Sequence, residues 1–222
     1  MKGDFSVPQM FDKISHKYEF LNHLFSFYLD EYWRKKLASF TKGKVLDVAT
    51  GTGEVIKHII KNKDVKFVVG IDLAQKMLSY AIKNKNYKNA FYILADGQKL
   101  PFKNNSFDSL TIAFGIRNIE NRIVALSEFY RVLKDDGVLA ILEMLGPTGF
   151  LKYPFRFYIK HILPPIAKIF IRDKEPYIYL YNSIFNFPKR EEFIEIIKSV
   201  GFKRIKLIEL NFGICTIFLC EK

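Results

Sequence analysis

The sequence predicts an α/β fold: a mainly parallel sheet with an antiparallel last strand, plus N-terminal helices and a helical lid insertion. Three observations predict it. Between Lys44 and Met144, short apolar runs of strand length alternate with stretches of helical period, the pattern of parallel strands joined by right-handed crossovers. Near the end, KRIKLIEL and ICTIFLC flank Asn211-Phe212-Gly213. So short a glycine-containing link favours a hairpin, which turns the last strand antiparallel. Residues 1–41 and about 146–187 fall outside the alternation. They are expected to form an N-terminal helical cap and a lid inserted into a sheet domain spanning 42–222.

The elements follow in order. KVLDVA is a short apolar run that ends in a glycine turn, hence a buried strand. VIKHIIKN has helical spacing, and KFVVGID is a second strand. AQKMLSYAIKN is helical, with Met77, Leu78 and Ala81 on one face. AFYILAD and SLTIAFG are the third and fourth strands. IVALSEFYRVLK is a helix with a wide apolar stripe at Val124, Leu126, Phe129, Val132 and Leu133. GVLAILEM is a fifth strand. EEFIEIIKSVG is a helix that points Phe193, Ile196, Ile197 and Val200 inward and closes at Gly201.

Composition bounds the function. The 222 residues suit one α/β domain with a cap or insertion, and 49% of them are hydrophobic, so the chain folds. The formal charge of +12 fits either a solvated lysine-rich surface or an anionic partner: a small ligand, a membrane surface or nucleic acid. Cys215 and Cys220 stand at odd spacing on one strand, so they point to opposite faces and do not pair. The first residues lack the apolar core of a signal peptide. The most apolar later stretch, HILPPIAKIFI, is interrupted by Pro164, Pro165 and Lys168, too short and broken to span a bilayer. The expected location is cytoplasmic.

The first strand ends in Asp47-Val48-Ala49-Thr50-Gly51-Thr52-Gly53-Glu54. Gly51 and Gly53 let backbone approach a ligand at a helix start. The dinucleotide fingerprint wants a third glycine where Ile56 stands, which argues against nicotinamide and flavin cofactors. Asp72 ends the second strand, where an acceptor-only carboxylate takes ribose hydroxyls. Asp96 ends the third, followed by Gly97, within reach of an adenine amino group. Each acid alone reads equally well as a helix cap or turn residue. Together they favour an adenosine-containing ligand, with Thr52 and the glycine amides at its polar tail.

VLDVATGTGE, GIDLAQKML, LPFKNNSFDSLTIAFGIRNIENR and ALSEFYRVLKDDGVLAILEM stand in the order of a Rossmann-like class I S-adenosylmethionine-dependent methyltransferase. More narrowly, the chain resembles the ubiquinone/menaquinone biosynthesis C-methyltransferases, the demethylmenaquinone methyltransferase group. The resemblance rests on KYEFLNHLFSFYLDEYWR from Lys17 to Arg34, FGIRN from Phe114 to Asn118, RVLKDDGVLAILEM, and YIYLYNSIFNFP, and it covers nearly the whole chain. Glu54 stands for a usual aspartate, Asp135-Asp136 for Pro-Gly, and Met144-Leu145-Gly146 for Phe-Ser-Lys.

The resemblance implies S-adenosyl-L-methionine as cofactor, a cofactor site including Asp47, Gly51, Thr52, Gly53, Asp72, Asp96, Gly97 and Ala113, and no metal. It also implies a prenylated quinol as partner. Carbon methylation needs an electron-rich ring, so a site must hold the ring in line and stabilise developing phenolate charge. Arg117 suits the charge, Asn118 a positioned water, and Tyr18 the completion of the relay. The competing readings are an Arg117 salt bridge to Glu120 or Glu143, and Tyr18 packed among helices. Lys152, Arg156, Lys160, Lys168 and Arg172, interleaved with aromatics, suit a peripheral membrane surface. A homodimer is left open, and no RNA-binding signature is present. Methylation of a sterol or a phenolic compound is the nearest rival.

Overall fold

The structure is a computed structural model that describes residues 6–170 and 175–222, of residues 175–177 the backbone alone. Among the described residues seven strands form one sheet: β1 (Gly43–Val48), β2 (Val65–Asp72), β3 (Ala90–Leu94), β4 (Phe107–Ala113), β5 (Leu133–Met144), β6 (Lys203–Leu210) and β7 (Cys215–Glu221). Their order is β3-β2-β1-β4-β5-β7-β6. β1 pairs in parallel with both β2 and β4, β2 with β3, and β4 with β5; β7 runs antiparallel to β5 and β6. Strand order reverses between β1 and β4, so the carboxyl ends of these strands open a crevice, where ligands bind in sheets of this kind.

Two apolar layers hold the sheet. On one face Leu46, Val48, Leu110, Ile112, Leu139, Ile141 and Phe218 pack with Phe129 of α5 (Arg122–Val132) and Phe193 of α9 (Arg190–Ser199). On the other, Val45, Val68, Ala140, Leu142 and Ile217 pack with Trp33 and Leu37 of α2 (Leu29–Ala38) and with Ile56 and Ile59 of α3 (Ile56–Ile59). Cys220 lies in the first layer and Cys215 in the second, both free, as their odd spacing requires. Met77, Leu78 and Ala81 of α4 (Gln75–Asn84) are buried as expected.

Some boundaries differ from the sequence reading. The helix expected to run through Lys134 stops at Val132, and β5 begins at once with Leu133. The carbonyls of Arg131 and Val132 accept the amides of Asn105 and Ser106, at 3.0 and 2.8 Å, so they are no longer open to further helix. Val124 is exposed; Ala125 takes its place in the buried stripe. The helix expected over Val55–Asn62 is one turn, because the glycine loop before it runs on as turns to Val55.

Two helical segments lie outside the sheet. α1 (Val7–Ser26) precedes α2, and residues 152–170 run as α6 (Lys152–Phe157), a π-helical turn (Tyr158–Ile162) and α7 (Leu163–Phe170), followed by α8 (Glu175–Phe185). Pro164 and Pro165 come just after the π-helical turn, inside an unbroken helical run, at the point where the regular hydrogen-bond ladder is already shifted. Ile159, Leu163 and Ala167 form a small separate core with Phe25 of α1 and Leu180, Tyr181 and Phe185 of α8. Among the described residues no helix is long and apolar enough to cross a membrane.

Candidate active site

The site begins with two kinked strand ends. Ala49 follows β1 with φ 52°, and Phe114 follows β4 with φ 56°. Left-handed backbone at a non-glycine residue costs on the order of 1–3 kcal/mol and persists only where the surroundings enforce it. A Cβ on Gly115 would sit 2.7 Å from that of Ala49, so the two kinks touch only because position 115 has no side chain. Gly51 then turns with φ 56° and donates its amide to Asp72 Oδ2 at 2.7 Å. Asp72 Oδ1 accepts the Ala74 amide at 2.8 Å. Burial pushes the Asp72 carboxyl above its ordinary range, although these amides pull the other way.

A cavity of about 310 Å³ lies over these ends. Its wall includes Gly51, Asp72, Asp96, Gly97, Ala113, Asn118 and Tyr18, with Leu73, Met77, Phe114 and Ile119 as apolar surface. Two acceptor-only carboxylates on adjacent strand ends, facing apolar walls, fit the hydroxyls and the base of an adenosine group.

Phe114 and Tyr18 also line a second cavity of about 70 Å³, together with Asn22, Asp30, Trp33, Arg34, Arg117 and Met144. The Phe114 ring sits 5.5 Å from the Arg34 guanidinium and 5.9 Å from that of Arg117. Arg117 pairs with Glu143, which is fully buried on β5, and the Arg117 amide donates to the same carboxylate at 3.3 Å. Burial opposes the Arg117 charge, but Glu143 and the oxygens of Tyr18 and Tyr179 outweigh it, so the guanidinium holds its proton more firmly than usual. Its Nε is buried without a hydrogen-bond partner among the described residues. Asn118 is fixed at both ends: Nδ2 donates to the Phe114 carbonyl at 3.2 Å, and Oδ1 accepts the Tyr179 hydroxyl at 2.8 Å. Asp30 pairs with Arg34 and accepts from Ser26 at 2.7 Å; burial opposes its charge, yet Arg34, His23 and Ser26 hold it below the usual range.

The structure therefore brings seven of the expected residues to one cavity and Arg117 to its neighbour. Three others stand behind the wall. Asp47 is buried in the sheet, where Thr50 and Thr111 both donate to it at 2.6 Å. Burial raises its carboxyl to about 6 against those hydrogen bonds. Thr52 is buried with its hydroxyl on Glu19 of α1, away from both cavities. Gly53 packs against Tyr92 and Ala81, where a Cβ would fall 3.1 Å from the tyrosine hydroxyl. For Arg117, the salt bridge to Glu143 is present and the one to Glu120 is not among those described. The residues missed were Phe114, Tyr179 and the Asp30–Arg34 pair. Phe114 and Tyr179 lay inside quoted motifs, and Asp30 and Arg34 stand at helical i, i+4 spacing; each was a readable signal without an assigned task.

His23, Glu31 and Glu54 come close enough to suggest a metal site among the described residues. Lys57 already bridges Glu31 and Glu54, at 2.5 and 2.9 Å, and Lys85 reaches Glu54 at 2.5 Å, so that negative charge is met by protein.

Comparisons with known proteins agree with this architecture. The chain is 36% identical to the demethylmenaquinone methyltransferase of Chlorobaculum tepidum, over all of this chain and 94% of that one. It is 38% identical to the ubiquinone/menaquinone biosynthesis C-methyltransferase UbiE of Geotalea uraniireducens, over all of this chain and 97% of that one. A SAM-dependent methyltransferase of Thermotoga maritima shares the fold with a TM-score of 0.70 at 19% identity, over 96% and 99% of the two chains. So does phosphoethanolamine N-methyltransferase 2 of Haemonchus contortus, solved with S-adenosyl-L-methionine: TM-score 0.61, 18% identity, 82% of this chain and 49% of that one. The family model for ubiE/COQ5 methyltransferases matches residues 1–222, and with the full-length relatives it establishes that this chain belongs to the ubiE/COQ5 methyltransferase family.

Proposed function

We propose that the protein uses S-adenosyl-L-methionine to methylate a ring carbon of a reduced, prenylated quinone precursor, a demethylmenaquinol or its ubiquinone-pathway counterpart. The observation that carries this is the pair of cavities sharing Phe114 and Tyr18, one walled by Asp72 and Asp96 and the other by Arg117. Asp72 and Asp96 would hold the cofactor's adenosine, with Gly51 and Gly97 allowing close approach. The cofactor, when bound, supplies an electrophilic methyl group.

The chain's own residues do the rest. Arg117, kept charged by Glu143, offers a buried donor to the oxygen of an ionising ring, and its planar fork sets direction. Asn118, clamped between the Phe114 carbonyl and Tyr179, presents its amide without freedom to turn. Tyr18 reaches both cavities and can pass on the hydroxyl proton; once the ring carbon carries the methyl, its own hydrogen leaves as a proton and the oxygen regains one, so one proton is released per methyl added. Phe114 and Trp33 exclude water from the ring side. Of the expected cap, α1 and α2 cover the site, and of the expected lid, α6 to α8 lie at a membrane surface; Arg172 of the basic set lies outside the described residues. Phe150, Tyr153, Phe157 and Ile169 are exposed there, among Lys152, Arg156 and Lys160.

The test is incubation of pure protein with labelled cofactor and reduced demethylmenaquinone in vesicles. A labelled methyl on the ring carbon is expected by mass spectrometry, faster in anionic than neutral vesicles at low salt and converging at high salt. Methylation of a phenol or sterol but of no quinol would sink the reading. Equal rates in both vesicle types would remove the membrane part alone.

A further inference from the structure

The Arg117 cavity does not end at the polar groups. Phe25, Ser26, Trp33, Met144 and Ile159 line it and also line a third cavity, of about 300 Å³. That third cavity is walled almost wholly by apolar side chains, and three of them reach the surface: Phe27 is 75% exposed, Phe212 84% and Leu151 44%. These three come from the α1–α2 corner, the β6–β7 hairpin and the start of the 146–187 segment, so no single helix face makes the mouth. The corner and the hairpin are held in place. Phe27, Tyr28, Asn211 and Phe212 all have positive φ, and Trp33 Nε1 donates to Asn211 Oδ1 at 2.7 Å across the groove's back wall. The three cavities thus grade in polarity: carboxylates first, a guanidinium chamber second, an apolar groove with an exposed mouth last.

We infer that the apolar groove binds the isoprenoid tail of the acceptor, its first units packed between Trp33, Met144 and Ile159 and its remainder leaving past Phe27, Leu151 and Phe212. This rests on the quinol reading above. A molecule with an ionisable ring at one end and a branched hydrocarbon chain at the other matches the order of the chambers. A tail-less phenol would leave the groove uncovered. The volume lies at the lower limit of about 300 Å³ for small-ligand sites, which suits the near end of a long chain with the rest outside. Five shared wall residues set the groove directly beside the Arg117 chamber, which makes the acceptor's own tail the occupant rather than an unrelated lipid.

Trp33 is the chain's single tryptophan and is nearly fully buried against the groove, so its emission reports on the site. The test titrates the full chain with a brominated fifteen-carbon isoprenoid alcohol, whose bromine quenches indole at contact. Saturable quenching is expected, reversed by farnesol. Phe212→Asp and Leu151→Glu change only exposed positions and should weaken it at least about tenfold, a change of the size expected when roughly two methylenes' worth of burial is lost. In turnover, the ratio of KM for a long-tailed quinol to that for a one-isoprene quinol should rise by a similar factor in the same variants. Absence of saturable quenching, or quenching unmoved by both mouth variants, would overturn the assignment even if quinol methylation is intact. Displacement by hexadecanol as effective as by farnesol would assign the groove to unbranched chains and overturn it too. If no quinol is methylated, the functional reading fails while the quenching still decides the groove.

Discussion

The two halves of the proposed site, one for the cofactor and one for the acceptor, are built in different ways. The first is backbone and half-buried carboxylates at the ends of four neighbouring parallel strands, within one continuous stretch from Asp47 to Gly115. The second is side chains from α1, α2, α8 and the ends of β4 and β5, separated by well over a hundred residues and joined by ion pairs and ring contacts. The cofactor half is therefore held by the sheet and should tolerate loss of single side chains. The acceptor half is a network in which removing one member strands another.

The sharpest break should come at Arg117. Arg117→Ala leaves Glu143 buried and unpaired, a loss of about 3–5 kcal/mol in stability, so low activity there says little about chemistry. Arg117→Ala with Glu143→Gln should recover the melting temperature while kcat and kcat/KM stay about 10²-fold down or lower. Cofactor affinity by calorimetry should barely move. Full activity in that double variant would remove Arg117 from the mechanism. The network on the acceptor side would then be scaffolding only.

Asp47 tests the opposite half. Its folded value of about 6 lies above its ordinary 3.8. A raised acid contributes stability that is complete below about pH 3.8 and lost as pH climbs through 6. At about 1.4 kcal/mol per pH unit, the loss is ~3 kcal/mol above pH 6. Asp47→Asn should accordingly gain on the wild type as pH rises from 4 to 7, read as the difference in melting temperature across that window. A pH-independent difference would mean the carboxylate titrates normally.

Asp72→Ala should weaken cofactor binding by about 1–3 kcal/mol, with the fold intact, since the sheet around it remains. Calorimetry showing wild-type affinity would take Asp72 out of the site. The smallest effect is expected at Tyr179→Phe, which frees one end of the Asn118 amide. A fall in kcat of up to about tenfold, with unchanged cofactor affinity and melting temperature, fits a single lost hydrogen bond. A rise in KM alone would place Tyr179 in acceptor binding instead.

This same contrast explains what could be read in advance. The alternating strands and helices, the antiparallel end and the acids at strand ends were legible because periodicity and turn chemistry act over a few residues. Asp72, Asp96 and Gly51 reach the cavity for reasons visible within six residues of each. Thr52 reads as a ligand residue from the glycine loop, and Asp47 from the family resemblance. Their side chains turn inward to Thr50, Thr111 and Glu19, a choice made by burial that no local spacing displays. The partnership of Arg117 with Glu143 was visible only as one of two options, and that of Tyr179 with Asn118 was not visible, because 61 residues separate the latter pair. The early end of α5 was hidden for the same reason, since the groups that stop it come from the loop before β4.

Gly115 carries one more consequence. It has no side chain and offers the cavity wall only backbone, yet any Cβ there would fall 2.7 Å from that of Ala49 and push apart the two central strands where they open the crevice. In a scan of every substitution, position 115 would score as intolerant as the arginine two residues later. A map of tolerance would record the two as equals, although one would be doing chemistry and the other merely leaves room.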